Sequence, residues 1–102
     1  MSKATATPAA RTDLERLIDA CILYLSVERN LAPRTLEAYR SDYQSFAASL
    51  PNQSSWRDDA GVVQQWIAAP NVALATRRRR AAALRVFYRF AEAEGEIGRA
   101  HV

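Results

Sequence analysis

Apolar side chains recur every three or four residues in four separate segments of this 102-residue chain, and strand-like alternation is scarce. That spacing gathers them on one face of a helix. Leu14, Leu17, Ile18, Cys21, Ile22 and Leu25 form the first set. Leu36, Tyr39, Tyr43, Phe46 and Leu50, with Ala47 beside them, form the second. Val62, Val63, Trp66 and Ile67 make the third, and Leu84, Phe87, Tyr88 and Ala91, widened by Val86 and Phe90, the fourth. A chain of this size supports one hydrophobic core. Four amphipathic helices joined by short loops therefore predict an all-α, compact orthogonal or antiparallel bundle.

Punctuation residues set the boundaries. Thr12 with Glu15 reads as a capping box that opens the first helix, which runs to about Glu28, with Asn30 as its stop. Leu31 is expected to pack in the connection. Pro33 suits the first position of the second helix, where a missing N–H costs nothing, and Pro51 ends it. After the loop PNQSSW, a third helix is expected from Asp58 to Ala68, with Asp58 and Asp59 at its electropositive end. Pro70 and Asn71 break the chain again. Gly95 closes the last helix, since glycine accepts the left-handed conformation that ends helices. Residues 1–11 read as a disordered leader, 12–97 as the folded domain, and 98–102 as the start of a linker.

The fourth helix carries an unusual load at its start. Between Ala75 and Arg89 stand Arg77, Arg78, Arg79, Arg80, Arg85 and Arg89, and no acid. The first turn of a helix is already partly positive, so each added cation is unfavourable by roughly 0.3–1 kcal/mol, less with screening. An external polyanion would relieve this, because guanidinium forks and helix N-termini both bind phosphate oxygens. A solvated face that only keeps the domain soluble is the other reading; phosphate binding is preferred. The net charge of +3 is modest, but residues 1–31 balance, so the excess is local. A local basic patch points to an anionic partner, most often nucleic acid.

Other chemistries find little support. Cys21 is the single cysteine, falls on an apolar helical face, and permits neither a disulfide framework nor a zinc site. Tyr24, Tyr39, Tyr43 and Tyr88 lie in helical stripes without the base or acid that would activate a nucleophile. His101, the only histidine, has no candidate partner. No glycine-rich phosphate loop, paired carboxylates or metal-ligand spacing is present, so no cofactor or metal is expected. The chain has no apolar run of transmembrane length and no signal-peptide core; a cytoplasmic location without membrane contact is expected.

The order of motifs resembles that of tyrosine recombinases and phage integrases, Xer-type enzymes in particular. Tyr24-Leu25, then Thr35, Tyr39 and Asp42, are similar to the family's first helical hairpin. Thr76, Arg79 and Ala82, followed by Leu84-Arg85, Phe87-Tyr88 and Gly95-Glu96-Ile97, are similar to a later helix. The resemblance covers residues 14–97. It implies a four- to five-helix SAM-like bundle, the N-terminal core-binding domain, which forms one jaw of a clamp on duplex DNA. The other jaw, a C-terminal catalytic domain with a tyrosine nucleophile, has no counterpart in this chain. The chain alone is therefore expected to be non-catalytic and monomeric, and its longer parent to assemble as a tetramer on DNA. Two features depart from the family pattern: the short loop from Ala68 to Ala75, and arginine at 77 and 80, where neutral residues are usual. Those two are expected to lay their aliphatic stems along the core and project their heads.

By this resemblance the second and fourth helices face double-stranded DNA. On the second, Thr35 and Ser41 are expected to point outward with Ala38, Gln44 one turn further, and Arg34 and Arg40 to flank them on phosphates. On the fourth, Thr76 and Arg79 share a line with Ala83, flanked by Arg78 and Arg80. Arg79 is a candidate either for bidentate reading of guanine or for a phosphate contact. Thr35 and Arg79 must then face the same side of the molecule. Three other readings remain: a protein-interaction module for an acidic partner, a small helix-turn-helix regulator, and an RNA binder, for which Trp56 is the only aromatic platform in sight.

Overall fold

The computed structural model describes residues 12–52, 56, 57 and 59–95. The expected leader, the linker start and His101 lie outside them. Four helices follow in order: α1 Asp13–Val27, α2 Pro33–Ser49, α3 Ala60–Ile67 and α4 Leu74–Ala93. No strand occurs among the described residues, and the all-α expectation holds.

Each helix starts and stops for a local reason. Thr12 Oγ1 accepts from the Glu15 N–H at 3.1 Å, and Glu15 Oε1 accepts from the Thr12 N–H at 3.1 Å, so the capping box is complete. Beyond α1, Asn30 takes a left-handed φ of 53°, a conformation asparagine tolerates better than most residues. The chain then turns so that the Leu31 N–H reaches the Leu25 carbonyl at 3.1 Å, and Leu31 packs against the core as expected. Pro33 does occupy the first turn of α2. α3 begins at Ala60, later than the sequence reading placed it. Its cap is Asp59, whose carboxylate accepts from the Gly61 N–H at 2.9 Å; Asp58 lies outside the described residues. A Cβ at Gly61 would sit 3.0 Å from that carboxylate oxygen, so glycine makes room for the cap. Gly95, with φ of 78°, closes α4.

The core is built largely from the predicted stripes. Leu14, Ile18, Cys21 and Leu25 of α1 meet Tyr43 and Phe46 of α2 and Leu84 and Phe87 of α4, all buried. Burial of each large apolar side chain is worth about 1.5–3 kcal/mol. Aromatic rings tie the seams: Tyr43 lies 5.4 Å from Phe87, Phe46 5.4 Å from Trp66, and Tyr24 5.3 Å from Phe90. Buried Tyr43 donates its hydroxyl to the Ala83 carbonyl at 2.7 Å, and Tyr88 donates to the Trp56 carbonyl at 2.6 Å. Both hydroxyls are therefore structural, since a buried donor without a partner is costly. Burial pushes the Cys21 thiol up to about 11, which keeps it a neutral, small hydrophobe.

Two expectations are corrected here, and one burial is unforeseen. Trp56 is no loose platform: it is buried against Phe87 and Tyr88, 5.4 and 5.9 Å away. Ala83 is fully buried rather than outward-facing. Asp42, which stands outside the apolar stripe of α2, is also buried, at 3% exposure. α4 covers Trp56, while Ala83 and Asp42 lie at the margins of their apolar stripes, where the neighbouring helix reaches them.

Candidate nucleic-acid interface

Helix geometry separates the six α4 arginines into three groups. At 3.6 residues per turn, positions 78, 85 and 89 fall within about 40° of one another and span about 16 Å of the axis. All three side chains are exposed. None has an acid partner among the described residues, so the three form a free cationic row along the outer face of α4.

Arg77 and Arg80 turn the other way, onto the end of α3. Arg80 Nη1 donates to the Trp66 carbonyl at 3.2 Å, and its guanidinium lies 4.3 Å from the centre of the Trp66 ring. Arg77 Nη2 donates to the Ala69 carbonyl at 3.5 Å. The Trp66 carbonyl belongs to the electronegative C-terminal end of α3, where cations are favoured, and Ala69 lies just past the cap of that helix. Both residues are half-buried, and the Nε of each is sequestered without a hydrogen-bond partner. The heads that were expected to project outward instead hold the α3–α4 seam. Arg80 therefore does not flank an exposed line.

Arg79 is engaged as well. Its Nε donates to Asp42 Oδ2 at 2.7 Å and its Nη2 to Asp42 Oδ1 at 2.7 Å, a bidentate pair between α4 and α2. The Asp42 side chain is 4% exposed and that of Arg79 42%. Hydrogen bonding to Asp42 raises the guanidinium pKa further, so Arg79 is charged at every relevant pH. The fork that would read guanine is already filled by a carboxylate of the same molecule. Thr76, half-buried, stands one turn earlier on the same line. That line is the seam with α2, and its far end is closed where Tyr43 meets Ala83.

On α2 the expected residues divide too. Arg34 and Ser41 are exposed and lie within about 20° of one another on the outward face; Gln44, also exposed, is turned about 80° from Arg34 and about 40° from Arg40. Thr35 is half-buried and lies seven residues before Asp42, which puts the two within about 20° and about 10 Å along one edge. Because Arg79 is bonded to Asp42, Thr35 and Arg79 approach the same edge of α2. Arg40 is on the opposite flank, 3.4 Å from Asp19 of α1. Arg85 and Arg89 were missing from the sequence-derived candidates. Their signal was present: no acid interrupts the segment, and they repeat Arg78 at seven and eleven residues. Among the described residues no group of histidine, cysteine or carboxylate side chains is placed to hold a metal. No helix among them is long and apolar enough to cross a membrane.

Comparison with known proteins gives this arrangement its context. The family described as phage integrase, N-terminal SAM-like domain, matches residues 18–95. Tyrosine recombinase XerD of Lacticaseibacillus casei is 41% identical over 85 residues, covering 79% of this chain and 29% of that protein. Tyrosine recombinase XerC of Roseiflexus sp. is 33% identical over 86 residues, 78% of this chain and 28% of that protein. Tyrosine recombinase XerC of Oceanobacillus iheyensis is 30% identical over 95 residues, 82% of this chain and 30% of that protein. The chain thus spans less than a third of the length of these relatives. No solved structure is matched. With the family match running from within α1 to the end of α4, the chain belongs to the phage integrase N-terminal SAM-like domain family.

Proposed function

We propose that this chain is the DNA-binding part of a tyrosine recombinase or integrase and holds duplex DNA with the outer faces of α2 and α4. The observation that carries the reading is the row Arg78, Arg85 and Arg89, exposed and without acidic partners among the described residues. Phosphate contacts fix a protein on the duplex, and base-edge contacts specify sequence. Arg34 and the α4 row take the first role. Ser41 takes the second, with Gln44 about 60° to one side of it around α2 and Thr35 about 120° to the other; a glutamine amide can pair both acceptor and donor of adenine. Thr76 lies between the two faces and joins the backbone contacts. The relatives are named tyrosine recombinases, and strand exchange in such a parent falls to polypeptide outside the matched region. This chain is then non-catalytic and monomeric, acts in the cytoplasm, and its parent assembles as a tetramer on DNA.

Fluorescence anisotropy with a labelled duplex over a range of salt tests this. Each neutralised phosphate contributes about 0.9 to the slope of log affinity against log salt. Replacing Arg78, Arg85 and Arg89 together by glutamine is expected to lower that slope by about 2.7. Failure of the unaltered protein to bind duplex, with capture of an acidic polypeptide instead, would move the row to a protein-interaction role.

A further inference from the structure

We infer that Asp42 cancels the charge of Arg79 toward DNA, so that Arg79 braces the interface while Asp42 limits indiscriminate binding. The inference rests on the DNA-binding reading and deepens it. Two equal 2.7 Å bonds hold the guanidinium, and the carboxylate beneath it is 4% exposed. Moving Arg79 onto a phosphate would strand that carboxylate in the interior. Such an exchange leaves a buried carboxylate unpaired in return for a solvent-screened contact, and the free protein's pairing wins. A cation already neutralised by a fixed anion displaces no counterion from the duplex. Of the four consecutive arginines at 77–80, only Arg78 is then fully available to phosphate, because Arg77 and Arg80 bind carbonyls at the end of α3. Asp42 is thus a specificity-determining residue that touches no DNA. It holds α4 against α2 at a set angle and removes one charge from the middle of the basic face.

The test measures the salt dependence of binding to a short random-sequence duplex. Asp42→Asn is expected to raise affinity for random duplex at low salt and to steepen the slope by about 0.9, because it releases one cation. The double variant Asp42→Asn, Arg79→Gln removes no net charge and is expected to keep the original slope. Arg78→Gln is expected to flatten it by about 0.9. A merely structural pair would weaken folding without steepening the slope. Should Asp42→Asn fail to fold, the Arg79 Nε–H resonance of the unaltered protein decides: it is expected to stay slow to exchange and unshifted on adding duplex. A flattened slope in the double variant, or a shifted Arg79 resonance, overturns the inference while Arg78→Gln still supports DNA binding. Absence of salt-dependent binding by the unaltered protein overturns both.

Discussion

α1 and α4 begin on nearly the same backbone and in opposite chemical ways. The residue before α1, Thr12, has φ −70° and ψ 160°; the residue before α4, Ala73, has φ −62° and ψ 151°. Thr12 caps its helix, and acids occupy the first turn. Ala73 offers no side chain to cap, the first turn has no acid, and four arginines follow. Backbone geometry therefore does not explain the difference; side-chain choice does. α1 satisfies its own electropositive end. α4 leaves its end uncapped and restrains the nearby guanidinium groups through α2 and α3.

That contrast can be broken at its strongest point first. Arg79→Ala leaves the Asp42 carboxylate buried and unpaired, and is expected to destabilise the fold by about 2–3 kcal/mol. Urea denaturation followed by circular dichroism measures it, and an unmoved midpoint would mean that the pair braces nothing. Thr12→Ala removes the α1 cap and should cost about 1 kcal/mol, with duplex affinity unchanged. Installing at α4 what α1 possesses is the converse. Ala73→Asp fits the existing cap geometry and is expected to gain up to about 1 kcal/mol in stability. The same variant should weaken duplex binding, because it places an anion beside the basic face. The smallest stability effect belongs to Arg78→Gln: its melting temperature should match that of the unaltered protein. A drop would show that Arg78, like its neighbours, is engaged within the fold.

Much of the fold was legible because helical periodicity and capping chemistry are local. The Thr12–Glu15 box, Pro33, Gly95 and the four apolar stripes could be read without knowing what packs against what. The fate of the arginines could not. Arg77, Arg78, Arg79 and Arg80 are identical in type and adjacent in sequence, yet a step of 100° per residue sends them to different neighbours. Arg80 meets an indole ring, Arg79 a carboxylate from α2, and Arg78 solvent. Those destinations depend on how α2 and α3 are laid against α4, which is tertiary information. Asp42 shows the same limit, since its burial follows from its partner rather than from its own polarity. Trp56 was misread for a related reason: a residue in a loop can still be a wedge under a helix distant in sequence, here α4.

The two tryptophans have a practical consequence. Trp66 touches Phe46 of α2 and Arg80 of α4, while Trp56 lies against Phe87 and Tyr88 of α4. Both indoles are shielded from water and sit at different seams. Intrinsic emission can therefore follow two junctions separately, once each tryptophan is replaced by phenylalanine in turn. A spectral shift from Trp66 would report separation of α3 from its neighbours, and one from Trp56 the lifting of the preceding turn off α4.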